Sequence, residues 1–106
     1  MADDLVRFKF DQDGMAETLF VMGELDIASV SALEHAVSQA LNGQGGEFRL
    51  DLSQLTFMDS TGAQALLQVH KRAEGLGRHL VVVSPTREVR MVLEVLGLDQ
   101  MIDVQA

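Results

Sequence analysis

Between Glu47 and Gly97 the spacing of apolar residues switches repeatedly between two and about 3.6, and this limits the chain to very few folds. Phe48, Leu50 and Leu52 alternate with Glu47, Arg49 and Asp51, the period of a half-buried strand. Ala63, Leu66, Leu67 and Ala73 then recur at helical spacing and predict a helix over about Thr61–Glu74, with Gly75 past its end. His79–Val83 is almost wholly apolar, as suits a strand buried within a parallel sheet. Val89, Val92, Leu93 and Leu96 restore the helical stripe as a buried face, with Ser84 as cap, Pro85 at the first helical position and Gly97 as the stop. Strands that alternate with helices are joined by crossovers, which make neighbouring strands parallel.

The N-terminal part begins differently. Val6, Phe8 and Phe10 alternate with Arg7 and Lys9 in a first strand over Leu5–Phe10, and Asp11-Gln12-Asp13-Gly14 supplies turn chemistry. Thr18–Met22 resumes an apolar run, so a β-hairpin is expected. A helix follows from Ile27 to about Leu41, carried by Val30, Leu33, Val37 and Leu41, with Asp26 capping and Gly43 ending it. Met101–Val104 suits a short last strand. The expected fold class is therefore α/β: a single domain over residues 1–106, an opening β-hairpin and then a mostly parallel central sheet with crossover helices. The methionines at 15, 22, 91 and 101 are expected to fill gaps in its core.

Composition removes several function classes. There is no cysteine, which excludes disulfides and thiolate metal sites. His35, His70 and His79 share no ligand spacing, and the Asp11–Gly14 segment lacks the later ligands of a calcium loop. No apolar run nears the roughly 20 residues needed to span a bilayer, and the start of the chain is acidic, so a cytoplasmic location is expected. The formal charge of −8 is carried by residues 1–59, which hold eleven carboxylates against three bases. Such a balance repels a phosphate backbone. Lys71, Arg72, Arg78, Arg87 and Arg90 are the only candidates for a basic patch and have no aromatic residues among them. The acidity serves solubility or steers the chain toward a basic partner.

The informative stretch is Asp51-Leu52-Ser53-Gln54-Leu55-Thr56-Phe57-Met58-Asp59-Ser60-Thr61-Gly62. It leaves the third strand, runs through a short apolar connection and reaches the start of the second helix. Position alone makes Ser60 an N-cap, its hydroxyl accepting from a backbone N–H of the first turn. A phosphate on that oxygen would face free N–H groups and the positive end of the helix dipole, so the fold would tolerate it. It would also add roughly 1.5 to 2 negative charges beside Asp59. Gly62 leaves the first turn bare for close approach by a partner. Met58 falls at the edge of the same surface. Asp26 is either the cap of its helix or a partner contact, and Asp59 either a solvated loop carboxylate or an electrostatic neighbour of Ser60.

The pattern D-L-S-x-L-x-F-M-D-S-T-G resembles the signature of bacterial STAS-domain proteins, the anti-sigma-factor antagonists. Gly23-Glu24-Leu25-Asp26, Val81-Val82-Val83-Ser84-Pro85 and Leu93-Glu94-Val95-Leu96-Gly97-Leu98 resemble further segments of that family, so the likeness spans nearly the whole chain. The resemblance implies partner switching. The unphosphorylated antagonist binds an anti-sigma factor with a GHKL-type kinase fold and a sigma factor is released. Phosphorylation at Ser60 abolishes binding, and a metal-dependent serine phosphatase restores it. The resemblance also implies a partner surface of Asp26, Met58, Asp59, Ser60, Thr61 and Gly62, and a role in stress response and transcription regulation. ATP belongs to the kinase, so no cofactor is expected here. The chain departs from the family in placing Ala63 and Gln64 after the glycine, where a large aliphatic residue is usual.

The alternative within the same fold is a non-switching scaffold or regulatory subunit of a stress-signalling or transporter complex. A hydrolase is disfavoured. Ser60 lies in no G-x-S-x-G elbow, and one Asp-Ser-Thr-Gly loop lacks the second aspartate of an aspartic protease.

Overall fold

A computed structural model describes residues 6–13, 16–42 and 45–106. In chain order the elements are β1 (Val6–Asp13), β2 (Ala16–Leu25), α1 (Val30–Ala40), β3 (Glu47–Asp51), β4 (Leu55–Met58), α2 (Ser60–Gly75), β5 (His79–Val83), α3 (Arg87–Val95), a 3₁₀ turn (Leu98–Gln100) and β6 (Asp103–Gln105). The sheet order is β1-β2-β3-β5-β6, with β4 also beside β2. Only β1 and β2 are antiparallel, and every other pairing is parallel. The hairpin and the parallel sheet are thus as the hydrophobic periods predict.

β1 runs further than expected, pairing from Val6 with Gly23 to Asp13 with Ala16. Asp11, Gln12 and Asp13 are strand rather than turn. They are exposed on a strand at the edge of the sheet, where polar side chains are tolerated and discourage pairing with other chains. Leu5, expected to open the first strand, Gly14 of the expected turn, Met15 and Gly43 lie outside the described residues.

The segment read as an apolar connection is a strand, β4. Its register against β2 shifts between Gly23 and Glu24, which pair with Leu55 and Phe57. Thr56 is therefore an extra residue, a β-bulge. Its hydroxyl donates to the Gly23 carbonyl at 3.0 Å, and Gly23 takes φ +101°, which glycine allows. The bulge leaves Thr56 and Phe57 both exposed between buried Leu55 and Met58, which erases the alternation that would announce a strand.

Helix limits also differ. α1 starts at Val30, because Asp26–Ser29 form a turn in which the Asp26 carbonyl accepts the N–H groups of Ser29 and Val30. Gly75 closes α2 from inside, and it is Gly77 that takes the left-handed conformation, φ +72°. α3 begins at Arg87 with Thr86 at its N-cap, so Ser84 and Pro85 precede the helix. Leu96 caps its C-terminus half-exposed and leaves the buried stripe to Val89 and Leu93. Met91 lies two residues from each of these, on the opposite face, and is 54% exposed. Met101 is exposed as well, so neither methionine fills the core.

That core joins Leu19, Val21 and Leu25 of β2 to Phe48 and Leu50 of β3, Leu80 and Val82 of β5, and the inward faces of all three helices. At the end of the sheet where the parallel strands begin, Arg78 is buried. It donates to the Glu17 carboxylate and to the carbonyls of Asn42 and Gly46, and its guanidinium lies 5.5 Å from the Phe48 ring centre. Arg78 therefore drops out of the candidate basic patch and instead ties β2, β3 and β5 together. Removing one member of a buried ion pair strands the other in a dry site. Arg78→Ala is expected to lower unfolding free energy by about 3 kcal/mol in urea titration, and Glu17→Gln by less.

Candidate functional site

β2 and β4 run parallel and end level, with Leu25 paired to Met58. The next residue on each strand, Asp26 and Asp59, therefore leaves the sheet at one edge. This is the edge formed by the carboxyl ends of the parallel strands, where sites in open α/β sheets gather.

Asp59 still has the extended backbone of β4, φ −101° and ψ −173°, and its N–H donates to the Leu25 carbonyl at 3.3 Å. From there its Oδ1 accepts the Gly62 N–H at 2.9 Å and its carbonyl accepts the Ala63 N–H. The N-cap of α2 is thus Asp59 and not Ser60. A cap needs extended geometry, which only the residue leaving the strand has. Ser60 is the first helical residue. It is exposed, and its hydroxyl makes no hydrogen bond among the described residues. Thr61 beside it is half-buried.

Gly62 is buried, and its smoothness serves packing rather than a partner. A Cβ there would lie 2.4 Å from the Leu25 carbonyl oxygen and 2.9 Å from Met58 Cγ. Met58, expected at a surface edge, is 3% exposed and supports Gly62 from beneath. Both residues shape the site from inside; neither offers a contact face.

Asp26 is half-buried and occupied by its own turn. Its Oδ1 accepts the Ala28 N–H at 3.0 Å and its N–H donates to Ser29 Oγ at 2.9 Å. The Ser29 hydroxyl donates in turn to the Glu24 carbonyl. Ser29 is buried and holds this corner, yet only its Asp-x-x-Ser spacing could have signalled it. Ile27, between them, is 80% exposed.

One component of the site was not legible. The Thr86 hydroxyl donates to the Leu55 carbonyl at 2.8 Å and fastens the start of α3 to β4. α3 consequently lies beside the start of α2. Met91, Val92, Val95 and Leu96 form a groove whose remaining lining is Asp59 and Ser60. In the sequence Val92 and Leu96 read as the buried stripe and Met91 as a core filler.

A family model described as "Mlab, STAS domain" matches residues 8–103. The chain belongs to the STAS-domain family. Among its relatives is the anti-sigma-B factor antagonist of Bacillus subtilis, 27% identical over 81% of this chain and 78% of that protein. The corresponding antagonist of Listeria monocytogenes is 25% identical over 82% of this chain and 76% of the relative. Among solved structures, an anti-sigma factor antagonist from Mycobacterium paratuberculosis shares the fold with a TM-score of 0.81 at 21% identity, covering 99% of this chain and 88% of that one. The Bacillus antagonist SpoIIAA is similar in its unphosphorylated form, with TM-score 0.72, 25% identity and coverage of 94% and 89%. Its phosphorylated form has a TM-score of 0.66 at 23% identity, with coverage of 94% and 92%. Among the described residues of this STAS domain no helix is long and apolar enough to cross a membrane.

The geometry separates residues that build the STAS site from the one it displays. Asp59→Ala removes the cap and is expected to lower stability by about 1 kcal/mol, with Asp59→Asn largely spared. Gly62→Ala must push α2 off the Leu25 carbonyl, at about 2 kcal/mol. Ser60→Ala should stay within about 0.5 kcal/mol of the parent. Denaturant titration of the four variants measures this ranking, and a Ser60→Ala loss equal to that of Asp59→Ala would return the cap to Ser60.

Proposed function

We propose that this STAS domain is a cytoplasmic anti-sigma-factor antagonist governed by phosphorylation of Ser60. The unphosphorylated form binds an anti-sigma factor that is also a GHKL-type serine kinase, and a sigma factor is released. The observation that carries this reading is the free, exposed Ser60 hydroxyl at the first position of a helix that Asp59 already caps. A hydroxyl that does no structural work is open to modification. Its relatives named as antagonists support the partner class, and SpoIIAA, solved in both phosphorylation states, supports the modification.

The step is a phosphoryl transfer. Ser60 Oγ attacks the γ-phosphorus of ATP held by the kinase, the bond to ADP breaks, and the serine proton passes to a base on the kinase. A metal-dependent phosphatase reverses the state by delivering water to the phosphorus. Asp59 and the first N–H groups of α2 set the electrostatics around the new dianion. Asp26, on the turn beside Asp59, and Thr61 complete the partner surface, with Met58 and Gly62 acting from beneath. Added charge changes what can dock there and leaves the fold intact.

Kinase activity is to be purified from host extract by following phosphate transfer from ATP to this protein. One phosphate is expected, on Ser60 by fragment-ion mass spectrometry, and none on Ser60→Ala. Ser60→Asp should bind that kinase at least about tenfold more weakly than the parent, with no loss of melting temperature, because a first-turn acid favours the helix. Equal binding by Ser60→Asp and parent, within a stable complex indifferent to phosphate, would replace the switch with a regulatory or scaffold role.

A further inference from the structure

The groove beside Ser60 has a volume of about 290 Å³. Apart from Asp59 and Ser60 its lining is apolar, supplied by α3 and its C-cap Leu96. Met91 and Val95 stand one helical turn apart on the outward face, with Val95 81% exposed and Leu96 46%. The opposite face of α3, Val89 and Leu93, is fully buried. Arg87, Glu88 and Glu94 are also exposed on the outward side, so Met91, Val95 and Leu96 form an apolar patch within a charged surface that this chain leaves uncovered. α2 offers no comparable surface near Ser60. Ala63 is buried and the next exposed residue along the helix is Gln64.

We infer that the α3 face formed by Met91, Val95 and Leu96 is the apolar anchor of the partner interface, and that its occupant is an apolar projection of the anti-sigma kinase, flanked by basic groups. This rests on the reading of Ser60 as the switch and extends it to what the partner must carry. Ser60 is itself part of the groove lining, so whatever fills the groove touches Ser60. Charge selects among occupants. A second copy, also at −8, would set its own Asp26 and Asp59 against this pair across an isologous contact. A basic partner surface meets the same carboxylates favourably.

The geometry also assigns a cause to the loss of binding. A phosphate on the groove lining must shed water against an apolar occupant and finds no cation in that lining. Exclusion of this kind is local, so salt screens it little.

The test uses the full chain and the purified kinase that phosphorylates Ser60, with affinities from isothermal titration. Val95→Asp and Met91→Asp should each weaken binding by about thirtyfold, as for apolar anchors. Phe10→Asp, equally an exposed apolar residue but on β1, should leave binding unchanged. All three variants should remain folded, with Val95→Asp and Phe10→Asp melting somewhat below the parent, because an acid in the last turn of α3 opposes the helix dipole and Phe10 is only 42% exposed on its strand. The weakening caused by Ser60→Asp should persist between about 0.1 and 0.5 M salt. Unchanged affinity in both α3 variants, with Ser60→Asp still weak, overturns the anchor and leaves the switch standing. If Ser60→Asp is also without effect, both readings fail. A parent dimer in light scattering that Val95→Asp dissociates would give the groove to a second copy and overturn the proposal.

Discussion

The carbonyl oxygen of Leu25 accepts the Asp59 N–H and leaves no space for a side chain on residue 62. That single close approach joins the end of β2, the end of β4 and the first turn of α2. Asp59 caps the helix because this contact holds its backbone extended, and Gly62 is required because the helix is drawn in against the same oxygen. Ser29 locks the neighbouring turn through the Asp26 N–H and the Glu24 carbonyl. With the interior of the corner fixed, Ser60 is the first residue turned outward. Its position in space is set by neighbours to which its own hydroxyl contributes nothing.

The two ends of the sheet are built from opposite chemistry. Where the parallel strands begin, one buried guanidinium gathers a carboxylate, three carbonyls and an aromatic face. Where they end, the polar groups are caps, turn bonds and single ties between segments, among them Asp59 to Leu25 and Thr86 to Leu55. Rigidity at one end permits display at the other. The helix dipole places partial positive charge at the display end, and the nearby Asp26 and Asp59 offset it.

Much of this was legible because period and chemistry agreed. β3 and β5 announced themselves by alternation and by an apolar run, and the hairpin by Val6, Phe8 and Phe10. β4 stayed hidden because the Thr56 bulge put two successive side chains outside, so no period of two survived. The cap was misassigned by one residue because Asp and Ser are both good N-caps; only the register of β4 against β2 decides which retains strand geometry. Gly62 and Met58 were singled out correctly but given the wrong direction, since exposure follows from the approach of α2 to Leu25 and not from local sequence. The nearness of α3 to Ser60 could not be read at all. Leu96 reads as part of the buried stripe and Met91 as a core filler, and only the Thr86 bond to Leu55 brings that end of α3 beside Ser60.

In the proposed switch one group must be comfortable on its own protein and intolerable in the complex. Asp59 takes the Gly62 N–H, which leaves the N–H groups of Ser60 and Thr61 without partners inside the helix. A phosphate on Ser60 has these donors within reach in the free protein, together with open water. On docking, the partner removes the water while the apolar side chains of α3 supply no replacement. The difference between those environments, rather than any change of fold, is the coupling free energy between modification and binding. A cap at Ser60 would have opposed the switch, because phosphorylation would then have consumed the oxygen that caps the helix. With the cap at Asp59, the phosphate adds charge at the favourable end of the helix dipole and leaves the cap intact.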